Sequence, residues 1–268
     1  MTTENLAKSI RIESLKMVFN SNGSHIGSAL SYVDILAILY NETLNYVPSN
    51  PLFEERDRFI LSKGHACSSL YACLAIKEFF SIHDLKDYGK NDSQLMNHVS
   101  HKVPGVEFST GSLGHGLPFA VGKAKALKLQ EKKAKVFVLI GDGELAEGSN
   151  FEAMLFASHH QLDNLILIID NNNLQSLTNV KDTLNIYPID KKFEAFGWEY
   201  TNVNGHDLSD LRKNLKLTLS SNSGKPKVMI AKTIKGKGVS FMENSVPWHY
   251  KSPNEEELTS AIKEINNA

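Results

Sequence analysis

Two apolar runs dominate the chain, and each stops abruptly in oxygen-bearing side chains. The first is Val136-Phe-Val-Leu-Ile-Gly-Asp-Gly143, and the second is Leu165-Ile-Leu-Ile-Ile-Asp-Asn-Asn-Asn173. Continuous apolar runs this short predict strands buried on both faces. Residues 147–161 between them carry a helical pattern. Strand, helix and strand make a parallel crossover, which brings both carboxyl ends to one edge of the sheet. Ligands of open α/β sheets bind at that edge. Asp142 and Asn172 are therefore expected to meet there.

The same rhythm runs through the rest of the chain. Helices are predicted over 6–20, 28–40, 66–80, 117–132, 208–219 and 254–267, and strands over 59–61, 198–203 and 227–233. Segment 28–40 is apolar on more than one face, so it should be buried. Alternating helices and strands predict an α/β fold, a mainly parallel sheet with helices on both faces. No repeat or low-complexity linker divides the 268 residues, so 1–268 reads as one domain.

Composition narrows the function classes. A formal net charge of −1 offers no general nucleic-acid surface, and no apolar run nears the ~20 residues of a membrane span. Cys67 and Cys73 have neither disulfide nor zinc spacing and read as buried thiols. With no secretory signal, a cytoplasmic location is expected.

The candidate chemistry is oxygen-rich and histidine-rich. A carboxylate and an amide oxygen that converge suit Mg²⁺ or Ca²⁺ better than zinc. Glycines beside Asp142 let backbone N–H groups approach a phosphate. Three segments place Gly and His just before an apolar helix: His25 in 23–27, His65 in 62–65, and His115 in 112–116. Helix N-termini attract phosphate, and a nearby imidazole adds a donor or moves a proton. His98 and His101 have metal-like spacing, but no nearby Cys or carboxylate completes a zinc site. Glu144, Glu147 and Glu152 open the helix after Gly143, where acidic residues also suit the helix dipole.

Taken together, these segments resemble the transketolase family. GDGELAEGSNFEAMLFASHHQLDNLILIIDNNNLQ (141–175) is similar to the family's thiamine diphosphate signature. RDRFILSKGHA (56–66), PGVEFSTGSLGHG (104–116) and AKTIKGKGVS (231–240), followed by Trp248-His249, match further family blocks in order. The resemblance implies that Asp142, Asn172 and the Leu174 carbonyl hold Mg²⁺, for which Ca²⁺ or Mn²⁺ can substitute. It implies that Ser28, His65, Gly143, Lys235 and His249 surround the diphosphate. Gly111, Ser112 and Leu113 would pack along the cofactor rings. His25, His98 and His249 would face the sugar, and Glu147 and Glu152 would join a carboxylate network at a subunit interface. Ile26 stands where the family usually has Pro, Tyr250 where Gly is usual, and His115 where many members have Gln.

Single-chain members are more than twice as long, so the resemblance reaches only their first, diphosphate-binding domain. It implies a split transketolase. A partner chain would carry the pyrimidine-binding and C-terminal domains, including the glutamate that acts on the aminopyrimidine. A two-plus-two heterotetramer is the expected assembly. The implied reaction transfers a two-carbon ketol unit from a ketose to an aldose, with pentose phosphates as the default substrates and a specialised sugar left open. The rival readings are a thiamine diphosphate-binding component of a 2-oxo acid decarboxylase or dehydrogenase, and an inactive cofactor-binding regulatory protein.

Overall fold

The computed structural model describes residues 1–267. Five strands form one parallel sheet: β1 (Arg58–Leu61), β2 (Val136–Gly141), β3 (Leu165–Asn171), β4 (Glu199–Asn204) and β5 (Lys227–Lys232), in the order β1-β2-β3-β5-β4. The two long apolar runs are its central strands. Val136 pairs with Leu165 and Gly141 with Asp170, so β2 and β3 end in register and their polar tails emerge side by side.

Among the described residues ten α-helices surround the sheet: α1 (Thr3–Ser21), α2 (Ile26–Leu30), α3 (Val33–Ile38), α4 (Cys67–Ile76), α5 (Gly116–Leu129), α6 (Gly148–His159), α7 (Val180–Thr183), α8 (Ile189–Ala195), α9 (Leu208–Ser220) and α10 (Glu255–Asn267). Because side chains alternate along a strand, the sheet feeds two separate cores. Phe137, Leu139, Ile166, Ile168 and Met229 face one, shared with α1 to α4, α9 and α10. Val136, Val138, Ile140, Leu167 and Ile169 face the other, shared with α5, α6 and α8. Helices on both faces and parallel strands are as the alternation predicts. Strand β4 lies at an edge, and only Val203 of its six residues is buried.

Several boundaries differ from the sequence expectation for local reasons. The helix expected over 28–40 is broken at Ser31-Tyr32, where the Ser31 hydroxyl turns to the Ser28 carbonyl and to Asp170. Its far end widens into a five-residue turn, Leu39–Thr43, closed by Leu44 N–H to Leu39 O at 2.8 Å. The helix expected to reach residue 80 ends at Ile76, and Glu78 turns left-handed at φ 65°. The short helices α7 and α8 carry no clear period and escape the pattern. Cys67 and Cys73 are buried and unpaired. Among the described residues, no helix is long and apolar enough to cross a membrane.

Candidate active site

The carboxyl ends of β2 and β3 open into a cavity of about 450 Å³. Asp142 follows β2 and is 2% exposed. It is held in place by backbone: Gly143 N–H donates to its Oδ1 at 2.8 Å and Asn173 N–H to its Oδ2 at 2.6 Å. Asn172 is buried, and its Oδ1 accepts from Leu174 N–H at 3.0 Å. Asp142 and the 172–174 turn thus converge as the crossover requires.

Four imidazoles crowd the opposite wall. The His25 ring lies 5.0 Å from His65, 4.9 Å from His249 and 6.0 Å from His98. Each arrives from a different loop, so only the fold assembles them. His25 caps α2 in a left-handed conformation, φ 71°, with Ser24 Oγ 2.8 Å from its Nδ1. Such strain in a non-glycine residue is typical of functional sites. Burial lowers His25 to about 4 and His249 to about 3, helped by His98 and Lys235 for His25 and by Lys235 for His249. His65 and His98 are also lowered, chiefly by burial. The cluster is therefore neutral at pH 7, each ring offering one N–H donor and one acceptor nitrogen.

Lys235 is 1% exposed and spans the two walls. Its ammonium donates to Gln175 O at 2.8 Å and His249 Nδ1 at 2.8 Å, with Leu174 O more distant at 3.4 Å. Burial and the nearby Lys63 charge lower it to about 8. A crowded cation of this kind favours an anionic ligand.

Most expected site residues line this cavity. Ser28, Gly111, Leu113, Gly143, Glu147 and Leu174 do so beside the groups already named. Ser112 and Glu152 do not: Ser112 is exposed between two lining residues, and Glu152 lies exposed on α6. The Gly143 N–H donates to Asp142 Oδ1 beside the cavity. His115 and His101 stand outside, His101 held by Ser109 at 2.7 Å. Tyr250 lines the mouth, 4.8 Å from the His249 ring.

Two buried nodes were not read from the sequence. Glu144 is 2% exposed, and its carboxylate accepts from the Ser62 hydroxyl, Gly114 N–H at 2.9 Å and Gly141 N–H at 3.2 Å. It pins the glycine-rich loop to the end of β2, a role distinct from stabilising a helix dipole. The crossing is close: a Cβ on Gly116 would sit 2.3 Å from Ser62 Oγ. The second node is Lys63 with Asp170, both buried, joined by Ser31 and Thr233. Its signal was the single acid in an otherwise apolar strand end, which the neighbouring asparagines overshadowed.

A third network braces the Lys235 loop from behind. Arg11 Nη2 donates to Asp34 at 2.6 Å, His206 Nδ1 lies 2.8 Å from the same carboxylate, and Ile234 N–H donates to His206 Nε2 at 2.8 Å. Because Nε2 accepts, Nδ1 carries the proton.

The chemistry of the cavity fits a metal-bound diphosphate. Its potential ligands are a carboxylate, an amide oxygen and a carbonyl, all hard donors. Among the described residues Asp142 has no basic partner within ion-pairing distance, and burial with the Asp170 charge pushes it up to about 7. A cation would satisfy that carboxylate. Among the described residues no three His, Cys, Asp or Glu side chains are placed to hold a metal ion by themselves.

Comparisons with known proteins point the same way. Residues 2–266 match the family model described as transketolase, thiamine diphosphate binding domain. The chain is 46% identical over 264 residues to an apulose-4-phosphate transketolase subunit of Actinobacillus succinogenes, covering 98% of this chain and 95% of that protein. It is 35% identical over 260 residues to the 6-deoxy-6-sulfo-D-fructose transketolase subunit SqwG of a Clostridium species, covering 97% and 94%. The crystal structure of transketolase from Campylobacter jejuni superposes with a TM-score of 0.94 at 35% identity, over 99% of this chain and 43% of that one. The chain thus spans less than half the length of that solved enzyme.

Proposed function

This chain belongs to the transketolase family, and on that premise we propose that it is the thiamine diphosphate- and Mg²⁺-binding half of a two-subunit transketolase. The supporting observation is one cavity that joins the Asp142–Asn172–Leu174 oxygen set to four neutral imidazoles. A cofactor-binding scaffold alone needs the oxygens and His65 but not His25, His98 and His249.

Asp142, Asn172 and the Leu174 carbonyl would hold Mg²⁺. Lys235, with Ser28 and His65, would hold the diphosphate. Bound thiamine diphosphate supplies the electron sink for breaking a carbon–carbon bond next to a carbonyl. The protein's work is then to orient the sugar and move its hydroxyl protons. His249 has its Nδ1 occupied by Lys235 and would present Nε2 to the substrate; Ser24 leaves His25 Nε2 in the same position. Leu113 would pack against the cofactor rings. Glu147 and Glu152, exposed at the start of α6, would meet a second subunit.

The partner would be a C-terminal transketolase subunit, in a two-plus-two assembly, within the reducing cytoplasm. The names of the two relatives assign them apulose 4-phosphate and 6-deoxy-6-sulfofructose. We place the substrate of this chain among ketose phosphates, with branched as well as pentose skeletons as donors. Ketol transfer from apulose 4-phosphate, xylulose 5-phosphate and sulfofructose to a common aldose, using the two-subunit complex, ranks them. Release of CO₂ from a 2-oxo acid with no ketol transfer would overturn the proposal.

The His206 brace gives a quieter expectation. His206→Ala should raise the cofactor concentration at half-saturation about tenfold, since a buried N–H left without an acceptor costs about 1–3 kcal/mol. His206→Gln should restore most of it, because its amide offers an oxygen to Ile234 and an N–H to Asp34. Titrating cofactor into each variant complex by fluorescence checks both; equal affinity in all three forms would dismiss the brace.

A further inference from the structure

Three consecutive asparagines end β3, yet the proposed metal site uses only Asn172. The flanking two share a different partner. The Tyr187 hydroxyl donates to Asn171 Oδ1 at 2.7 Å and also contacts the Asn173 side-chain amide. It holds both neighbours of Asn172 and touches neither Asn172 nor Asp142 through any hydrogen bond described. A hydroxyl has one proton to give, so it serves one amide oxygen and accepts from the other amide, whose O and N exchange by a half-turn.

Asn173 connects this grip to the carboxylate. It is left-handed, φ 64°, and its N–H donates to Asp142 Oδ2 at 2.6 Å. Its carbonyl accepts from Val180 N–H at 2.9 Å. The residue is thus fixed at backbone and side chain together, in a conformation that costs energy unless its surroundings impose it. On the other side, Asn171 is the last residue of β3, and its carbonyl accepts from Thr233 N–H at 3.2 Å. Tyr187 itself sits just before α8, with its ring packed on the second core.

We propose that Tyr187 is a positioning residue for the metal site, clamping Asn171 and Asn173 so that Asn172 and Asp142 stay converged. The inference rests on the functional reading above. Groups behind metal ligands set their orientation, and removing one typically lowers metal affinity about 10- to 100-fold. Loss of one clamp bond should fall at the lower end, about tenfold.

The test uses the complete two-subunit complex with saturating thiamine diphosphate and Mn²⁺ as a paramagnetic probe, free Mn²⁺ being read by electron paramagnetic resonance without substrate. Tyr187→Phe removes only the hydroxyl and is expected to weaken Mn²⁺ binding about tenfold. Asn173→Gly keeps the left-handed backbone available and should weaken it similarly. Because the contact with Asn173 is already lost in Tyr187→Phe, the double variant should resemble Tyr187→Phe rather than the product of the two. Wild-type binding that Tyr187→Phe leaves unchanged within about twofold, with only the melting temperature lowered, overturns the clamp and leaves a purely structural tyrosine. A wild-type complex that binds no Mn²⁺ with the cofactor would instead sink the functional reading, and this inference with it.

Discussion

His98→Ala is expected to lower ketol transfer by about two to four orders of magnitude while cofactor affinity changes little, the range seen when a positioned proton-transfer group is removed. The separation follows from where His98 stands. Its side chain is at the exposed rim of the cavity, 6.0 Å from the His25 ring, whereas the proposed diphosphate ligands lie deeper. Its backbone is fastened independently, since the Tyr71 hydroxyl donates to the His98 carbonyl at 2.9 Å. The loop should therefore keep its course without the ring. Steady-state rates at saturating cofactor, beside a cofactor titration, would show the split. An unchanged rate would favour the inactive regulatory reading, and loss of cofactor binding would move His98 from the sugar to the cofactor.

Asp142→Asn should have the opposite signature, with metal-dependent cofactor binding lost by about two to three orders of magnitude. Removing one member of a buried charge pair costs about 3–5 kcal/mol, and each 1.4 kcal/mol is about tenfold. The amide also places an N–H against the Gly143 or Asn173 N–H that the carboxylate now accepts from. Stability without metal should move the other way with pH. Burial and Asp170 raise the folded Asp142 to about 7, so the folded state holds its proton more tightly than the unfolded chain. The Asp142 contribution to the stability of the metal-free protein then falls as pH rises from about 4 to 7, while the four lowered imidazoles act in the opposite direction in wild type and variant alike. At pH 8 that loss is complete, and Asp142→Asn removes it. The variant without metal should unfold at a temperature equal to or above wild type at pH 8, with the advantage shrinking toward pH 4. The difference in unfolding temperature between Asp142→Asn and wild type, scanned against pH with Mg²⁺ withheld, should grow from about pH 4 to about pH 8; a difference that shrinks over that range would contradict it.

The strands were legible because buried parallel strands are written as continuous apolar runs, and β2 and β3 are the clearest in the chain. Their polar ends, Asp142 and Asn172, could be paired from topology alone, because a crossover leaves both ends on one edge. The histidines were legible as a set, since His25 and His65 share the glycine-flanked form. His115 shares it too and lies outside the cavity, so the form marks a helix start and not a function. The buried nodes were harder. Glu144 looks like any acid opening a helix, and its role arises from Ser62 and Gly114, far away in sequence. Asp170 was marked only as the single acid ending an apolar strand, and its partner Lys63 carries no local pattern, because a buried ion pair is a product of packing. The break at Ser31 has the same origin: the helical rhythm continues through it, but its hydroxyl is drawn to Asp170.

The central proposal is that this cavity is half of an active site. The most direct test is ketol transfer by this chain with thiamine diphosphate and Mg²⁺, measured alone and after adding a C-terminal transketolase subunit. Transfer should be at background without the partner and emerge only when both chains are present. Full turnover by this chain alone would contradict it.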